Sequence, residues 1–254
     1  MLSPVVPSIQ VRPATPADLA AMAAWQCRYV PDGLFPNMGE RFVRRWHSSF
    51  LDSPFGMALV AERIGEDNTE RIGFLVGSTD QVRHVEEVVR RHRAGLASAG
   101  LLALARRPRL GAHFVRTRGR AYLNRILRNA SAADQEPGDA KTAATASDKS
   151  PAETGTAAET AETTTTAAGP VAVITAVAVD ATARGTGAGQ LLVQRFLEQS
   201  RSAGAPRAEL IAMLGEGSAA PFYERLGWTA VAERPSRDGR LARTYRYDLA
   251  AADS

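Results

Sequence analysis

Residues Val171 to Leu192, VAVITAVAVDATARGTGAGQLL, constrain this chain more than any other stretch. They open as an unbroken run of small and β-branched apolar residues, the pattern of a strand buried on both faces. The run stops at Asp180 and turns through Arg184-Gly185-Thr186-Gly187-Ala188-Gly189. From Gln190 onward, Leu191, Leu192, Phe196 and Leu197 take up helical spacing. A strand, a glycine-rich turn and a helix start aim several free N–H groups at one point, and the helix dipole adds positive potential there. Glycines let a ligand approach the main chain closely. The stretch therefore reads as a pyrophosphate cradle.

Spacing narrows which pyrophosphate it suits. A dinucleotide fingerprint, G-x-G-x-x-G, needs a third glycine where Gln190 stands. A P-loop needs a lysine after its last glycine, and the only lysines here are Lys141 and Lys149. The pattern that fits is R-x-x-G-x-G, met by Arg184, Gly187 and Gly189 after a strand ending in Val177-Ala178-Val179.

The rest of the chain supplies the context. Ile9 to Arg12 alternates as a short strand ended by Pro13. Thr15-Pro16-Ala17-Asp18 reads as a helix start with Thr15 as N-cap and Pro16 at the first helical position, and apolar spacing carries the helix through Tyr29. The loop from Pro31 to Asn37 stops it. A second helix from about Gly39 to Phe50 puts Phe42, Val43, Trp46 and Phe50 on one face and Arg41, Arg44 and Arg45 on the other. Met57 to Glu62 and Ile72 to Gly77 read as a hairpin. After the cradle, Ala208 to Met213 is a strand, Ala219 to Leu226 a short helix closed by Gly227, and Trp228 to Glu233 and Leu241 to Leu249 two strands around the Asp238-Gly239 turn.

Between the hairpin and the cradle the pattern breaks. Residues 81–130 carry twelve arginines against Glu86 and Glu87, a balance of about +10 within a chain of net charge +4, so the remainder is net acidic. Val82, Val85, Val89, His92 and Leu96 form one helical stripe; Leu110, Phe114, Tyr122 and Ile126 form another. Residues 131–170 are almost entirely small or polar, and nothing there offers the apolar surface that ordering a chain requires. The expected organisation is one domain from residues 1–80 plus 171–254, a basic helical insertion at 81–130 and a disordered linker at 131–170. The basic segment reads first as a solvated helical cap, with attraction of a phosphate-bearing acceptor, such as a nucleotide-linked amino sugar, or contact with nucleic acid or an anionic membrane as the alternatives. Its arginines lack the interleaved aromatics that stack bases, so nucleic acid is not expected as a partner. The apolar run near residues 94–105 is too short to span a bilayer. A single cysteine, Cys27, excludes an intrachain disulfide, and the opening residues MLSPVVPSIQ lack the features of a secretory signal, so the expectation is a soluble cytoplasmic protein.

At this point the sequence resembles the GNAT superfamily of acetyl-CoA-dependent N-acetyltransferases. The resemblance rests on the R-x-x-G-x-G turn, on Pro221 to Trp228 (PFYERLGW), and on the element order of residues 9–80 and 171–249. It implies an α/β fold with a mixed, mostly antiparallel central sheet flanked by helices, here carrying a helical insertion. It implies acetyl-CoA as co-substrate, its pyrophosphate held by the main-chain N–H groups of Arg184, Gly185, Thr186, Gly187, Ala188, Gly189 and Gln190, and its pantetheine arm by the strand end Val177, Ala178 and Val179. An N–H there could hold the oxyanion as a neutral amine attacks. Tyr223 is the implied general acid for the departing thiolate, because a phenol stays protonated at neutral pH.

Two departures from the family pattern stand out. Glu216 occupies a position where relatives have an asparagine that supports CoA, and an ionised carboxylate cannot donate. The strand Ile174-Thr175-Ala176-Val177 lacks the glutamate that serves many relatives as base. The base candidates are Asp32, Glu40, Asp80, His84 and Glu216, with ordered water as the alternative. His47, His84, His92 and His113 have no metal-ligand spacing. The acceptor side should be bounded by the loop from Tyr29 to Met38, with Tyr29, Asp32 and Phe35 available, and by the last hairpin. The expected reaction is acetyl transfer to a primary amine of a small molecule, such as an amino sugar or secondary metabolite. A non-catalytic acyl-CoA-binding module and a protein or peptide N-acetyltransferase are the alternatives, and a homodimer is left open.

Overall fold

The computed structural model describes residues 8–32, 34–66, 68–91, 169–236 and 239–250. All of them belong to one compact unit made by residues 1–99 with 154–254. The strands are β1 (Ser8–Pro13), β2 (Gly56–Ile64), β3 (Thr69–Ser78), β4 (Val171–Val179), β5 (Arg207–Met213), β6 (Thr229–Pro235) and β7 (Leu241–Asp248). The helices are α1 (Leu19–Tyr29), α2 (Leu34–Asn37), α3 (Glu40–Asp52), α4 (helical over residues 81–91), α5 (Ala188–Ser202) and α6 (Ala220–Arg225). The rest of the predicted basic insertion, and the predicted linker up to residue 168, lie outside the described residues.

Among the described residues the strands form one sheet in the order β1-β2-β3-β4-β5-β7-β6. Every neighbouring pair is antiparallel except β4 with β5. Strand alternation divides the core into two layers. Ala58, Val60, Phe74 and Val76 face α1 and α3, where Met22, Val43, Trp46 and Phe50 meet them. Leu59, Leu75 and Ile174 face α5, where Leu192, Val193 and Phe196 meet them. Strand β4 crosses the middle of this sandwich, which is why its sequence is apolar on both faces.

One residue in β4 changes the alternation. Gly77 pairs with Ile174 and Val76 pairs with Ala176, leaving Thr175 as an extra residue, a β-bulge. Ala172 and Ile174 therefore belong to the α5 layer, as Val177 and Val179 do, while Ala176 and Ala178 belong to the α1–α3 layer.

Three local expectations are corrected. Helix α1 begins at Leu19, and the intended cap is inverted: the Asp18 carboxylate accepts from the Thr15 N–H and hydroxyl, both at 2.8 Å. Buried Asp18 is further held by Arg12 at 2.8 and 3.1 Å, so this corner is an ion-paired turn tying α1 to β1. The loop after α1 contains the short helix α2. In α4, Val82 and Val89 are 52% and 48% exposed, whereas Gln81, His84 and Glu87 are buried. The predicted valine stripe is turned outward because polar partners hold the other face: Ser78 donates to Gln81 at 2.6 Å, His84 stacks on Phe50 at 4.4 Å, and Arg90 and Arg91 pair with Glu87. No helix among the described residues is long and apolar enough to cross a membrane.

A buried polar pair fixes α3 against α1. His47 Nε2 lies 2.5 Å from Gln26 Oε1, among the rings of Trp46 and Phe74. With Gln26 Oε1 as acceptor, Nε2 carries the proton, and Nδ1 has no partner among the described residues. Burial pushes the imidazole down to about 3, because a second proton would place an unpaired N–H and a charge in an aromatic layer. The unfolded chain binds that proton near pH 6.5, so the stability His47 protects is complete above that pH and is lost as pH falls from about 6.5 toward 3. Unfolding titrations should show the protein losing about 2 kcal/mol between pH 8 and pH 5 through this group. His47→Gln, which cannot titrate, should flatten that part of the profile; an identical slope in the variant would remove His47 as its source.

Candidate active site

The parallel pair opens into a crevice. Strand β4 pairs with β5 only over Val171–Ile174 against Arg207–Leu210. Beyond that, residues 176–179 keep β3 on one side and have no β5 partner on the other. Meanwhile residues 211–213 of β5 stay paired to β7. The divergence starts at the Thr175 bulge, whose hydroxyl is buried with no partner among the described residues. A strand edge left open inside a sheet presents main-chain donors and acceptors to whatever fills the gap. It opens toward the carboxyl ends of parallel strands, where open sheets place their ligands.

The glycine turn lies at that end. Asp180 closes β4 by donating its N–H to Ile72 at 2.8 Å, and its carboxylate accepts from the Thr182 N–H at 3.0 Å and hydroxyl at 2.7 Å. These bonds, the Thr182 N–H foremost, hold the Asp180 carboxyl below the usual range. A single 3₁₀ turn, Ala181–Ala183, follows. Gly187 is the residue before α5, with φ 89° and ψ −6°, and Gly185 has φ 79°, left-handed conformations that disfavour a Cβ. Among the described residues the N–H groups of Gly185, Gly187, Ala188, Gly189 and Gln190 have no main-chain acceptor. They gather at the positive end of a 15-residue helix.

The two sequence signatures meet in space. A Cβ built on Gly189 would lie 3.4 Å from Phe222 Cζ and 3.6 Å from Val179 Cγ2. Phe222 of helix α6 and Val179 at the open end of β4 therefore both meet the first turn of α5 at Gly189. Ser218 sets this helix in place, donating to the Met213 carbonyl at 2.6 Å and accepting from the Ala220 N–H at 3.1 Å. Tyr223 on α6 is 5% exposed, with its ring against Phe222, Trp228 and Tyr245. Burial raises its hydroxyl above the ordinary phenol range, so it is a protonated donor at any working pH.

The acceptor-side candidates are not gathered in one place. Tyr29 lies at the cradle, its hydroxyl donating to Asp180 at 3.0 Å. Asp32 pairs with Arg240 of the β6–β7 turn, beside Leu241, whose carbonyl accepts from the Leu214 N–H at 2.8 Å; this places Asp32 at the carboxyl-end edge of β5. Phe35 is taken up in packing, 4.7 Å from Trp46 and 5.4 Å from Phe42. Of the base candidates, Asp32 and exposed Glu216 are at the open edge. Asp80 and His84 follow Ser78, which pairs with Val173 at the far end of β4, and Glu40 is exposed at the start of α3. Sequence reasoning missed Thr175, Ser218 and the reach of Tyr29 to Asp180. Only the Asp180-x-Thr182 turn had a readable signal, since Asp commonly accepts from the N–H two residues on. Among the described residues no group of three or more His, Cys, Asp or Glu is placed to hold a metal ion.

A mixed sheet with one parallel pair, splayed at a bulge beside a helix-borne glycine loop, defines a narrow class of α/β domain. Residues 120–228 match the sequence profile of the acetyltransferase (GNAT) family; the described part of that match runs from β4 through α6 to Trp228. Arabidopsis thaliana NAA60, solved in complex with acetyl-CoA, superposes with a TM-score of 0.51 at 12% identity, covering 95% of this chain and 98% of that one. An N-acetyltransferase from Staphylococcus aureus Mu50 superposes with a TM-score of 0.50 at 11% identity, covering 95% and 99%. At these identities the likeness is one of fold. No curated protein sequence matches the chain. The chain has the mixed α/β GNAT fold.

Proposed function

We propose that this chain is an N-acetyltransferase that moves the acetyl group of acetyl-CoA to a primary amine of a small molecule, with residues 1–80 and 171–254 forming the catalytic domain. The observation that carries the reading is the set of unbonded N–H groups of Gly185 and of Gly187 to Gln190, placed at the end of the β4–β5 crevice; the Thr186 N–H is taken by the Ala183 carbonyl at 3.4 Å. These donors suit a pyrophosphate, and the open edge at Val177, Ala178 and Val179 suits the amides of a pantetheine arm. Acetyl-CoA brings the activated thioester; the chain binds, orients and stabilises charge. A β4 main-chain N–H donates to the thioester oxygen as negative charge develops. The neutral amine attacks the thioester carbon, the C–S bond breaks, and the thiolate leaves with a hydrogen bond from Tyr223. The amine's proton passes to solvent, and no side chain is assigned as base.

The Asp32–Arg240 ion pair, which links the α1–α2 loop to the last hairpin, supports a small acceptor over a peptide. The test is free-thiol release from acetyl-CoA against a panel of amino sugars, small amines and peptides. Turnover with small amines supports the reading. Turnover with peptides alone would make it a peptide N-acetyltransferase, and CoA binding with no turnover would make it a binding module.

A further inference from the structure

Tyr29 stands at the cradle, and what surrounds it identifies a second half of that site. The Arg184 guanidinium carbon lies 5.2 Å from the Tyr29 ring centroid, and that of Arg28 lies 5.3 Å from it. The ring is fixed from its other end: the Tyr29 hydroxyl donates to Asp180 at 3.0 Å and accepts from the Ala181 N–H at 3.4 Å. One tyrosine, arriving from a helix 151 residues earlier in the chain, thus binds the turn after β4 and two cations together.

The charges do not cancel. Neither Arg28 nor Arg184 makes a side-chain hydrogen bond or ion pair with any described residue. The nearby carboxylate, Asp180, is occupied by the Thr182 N–H and hydroxyl and by Tyr29. A guanidinium resting on an aromatic ring keeps its N–H donors free at its edge, in the fork that matches two phosphate oxygens. A flexible arginine would lose rotamer freedom on meeting a phosphate; the ring restricts it beforehand.

We propose that Arg28, Tyr29 and Arg184 form one anion clamp beside the glycine turn, in which the arginines contact a phosphate group of CoA and Tyr29 is the positioning residue that holds them. The proposal rests on the acetyl-CoA reading and moves Tyr29 from the acceptor side to the cofactor side. It accounts for a tyrosine whose hydroxyl and ring are both committed to the phosphate turn.

The experiment compares wild type with Arg28→Gln, Tyr29→Phe and Tyr29→Leu. Titration calorimetry with CoA gives Kd, and turnover with S-acetylpantetheine, which has no phosphate, reports on the rest of the site. Arg28→Gln and Tyr29→Leu should weaken CoA binding by about tenfold, and Tyr29→Phe, which keeps the ring and loses the Asp180 bond, by about threefold. Turnover of S-acetylpantetheine and the KM of the amine should match wild type in all three. Unchanged CoA affinity in Arg28→Gln and Tyr29→Leu overturns the clamp. So does an equal loss with S-acetylpantetheine, or a change confined to the amine KM, which would return Tyr29 to the acceptor side. If Tyr29→Leu melts early, the exposed Arg28 decides the matter alone. A wild-type protein that binds no CoA at all is a separate outcome, and it removes the acetyl-CoA reading together with the clamp.

Discussion

Tyr223→Phe should lower kcat by about a hundredfold while leaving the KM for acetyl-CoA within about twofold. The reasoning starts from burial. Tyr223 is enclosed by Phe222, Trp228 and Tyr245, and desolvation holds its hydroxyl above the ordinary phenol range. The same burial that guarantees a proton on the oxygen also penalises the phenoxide that complete transfer would leave. A thiol ionises near pH 8.5, well below a phenol, so the thiolate can depart without taking this proton. In the proposed reaction Tyr223 therefore serves best as a hydrogen-bond donor to the developing sulfur anion, with solvent protonating the thiol afterwards. A donor used only as the C–S bond breaks contributes to kcat and little to ground-state binding. The alkaline limb of the wild-type rate profile should accordingly show no loss from Tyr223 ionisation below the ordinary phenol range, because a raised pKa moves that loss upward. Steady-state kinetics across pH checks both points, and a Tyr223→Phe variant with wild-type kcat would leave Tyr223 as a core residue only.

The fold was legible where periodicity was clean. The alternation of β1 and β7, the helical spacing of α3 and the glycine turn before α5 each carry their element's signature, and the element order follows from them. The splay of β4 from β5 was not legible. A strand apolar on both faces shows no alternation, so the parity change at Thr175 leaves no trace in VAVITAVAV. Helix α4 misled for a related reason: Val82 and Val89 keep helical spacing, but Ser78, Phe50 and the two arginines after Glu87 decide which face turns inward. In the candidate site, local chain geometry made the Arg184–Gln190 turn readable. The Tyr29–Asp180 contact joins residues far apart in sequence, and nothing local to either announces it. Phe35 shows the reverse, an aromatic on a suggestive loop whose ring packs against Phe42 and Trp46.

Gly77→Ala should destabilise the protein by about 3 kcal/mol, at the upper end of what overpacking a core costs. A Cβ at this position would lie 2.6 Å from the Val173 carbonyl oxygen and 2.7 Å from Phe196 Cε2. The phenyl ring belongs to α5 and is fully buried, so it has little room to turn away. The carbonyl is main chain in β4 and cannot yield without moving the strand. Gly187 offers a contrast: nothing lies within 4 Å of its would-be Cβ, and its cost would come from the left-handed backbone, about 1–2 kcal/mol. Relief at Gly77 requires β3, β4 and α5 to separate together. Because Gly77 pairs with Ile174, the residue before the Thr175 bulge, the displaced segment is the one that opens the crevice. Thermal unfolding should show a melting temperature lower by roughly 6–12 °C, the expected equivalent of that loss in a chain of this size. The fraction that remains folded should bind CoA more weakly than wild type, since its β4 edge no longer sits where the cradle and α6 converge. A variant with an unchanged melting temperature would mean that β3 stands farther from β4 and α5 than this register and these contacts place it.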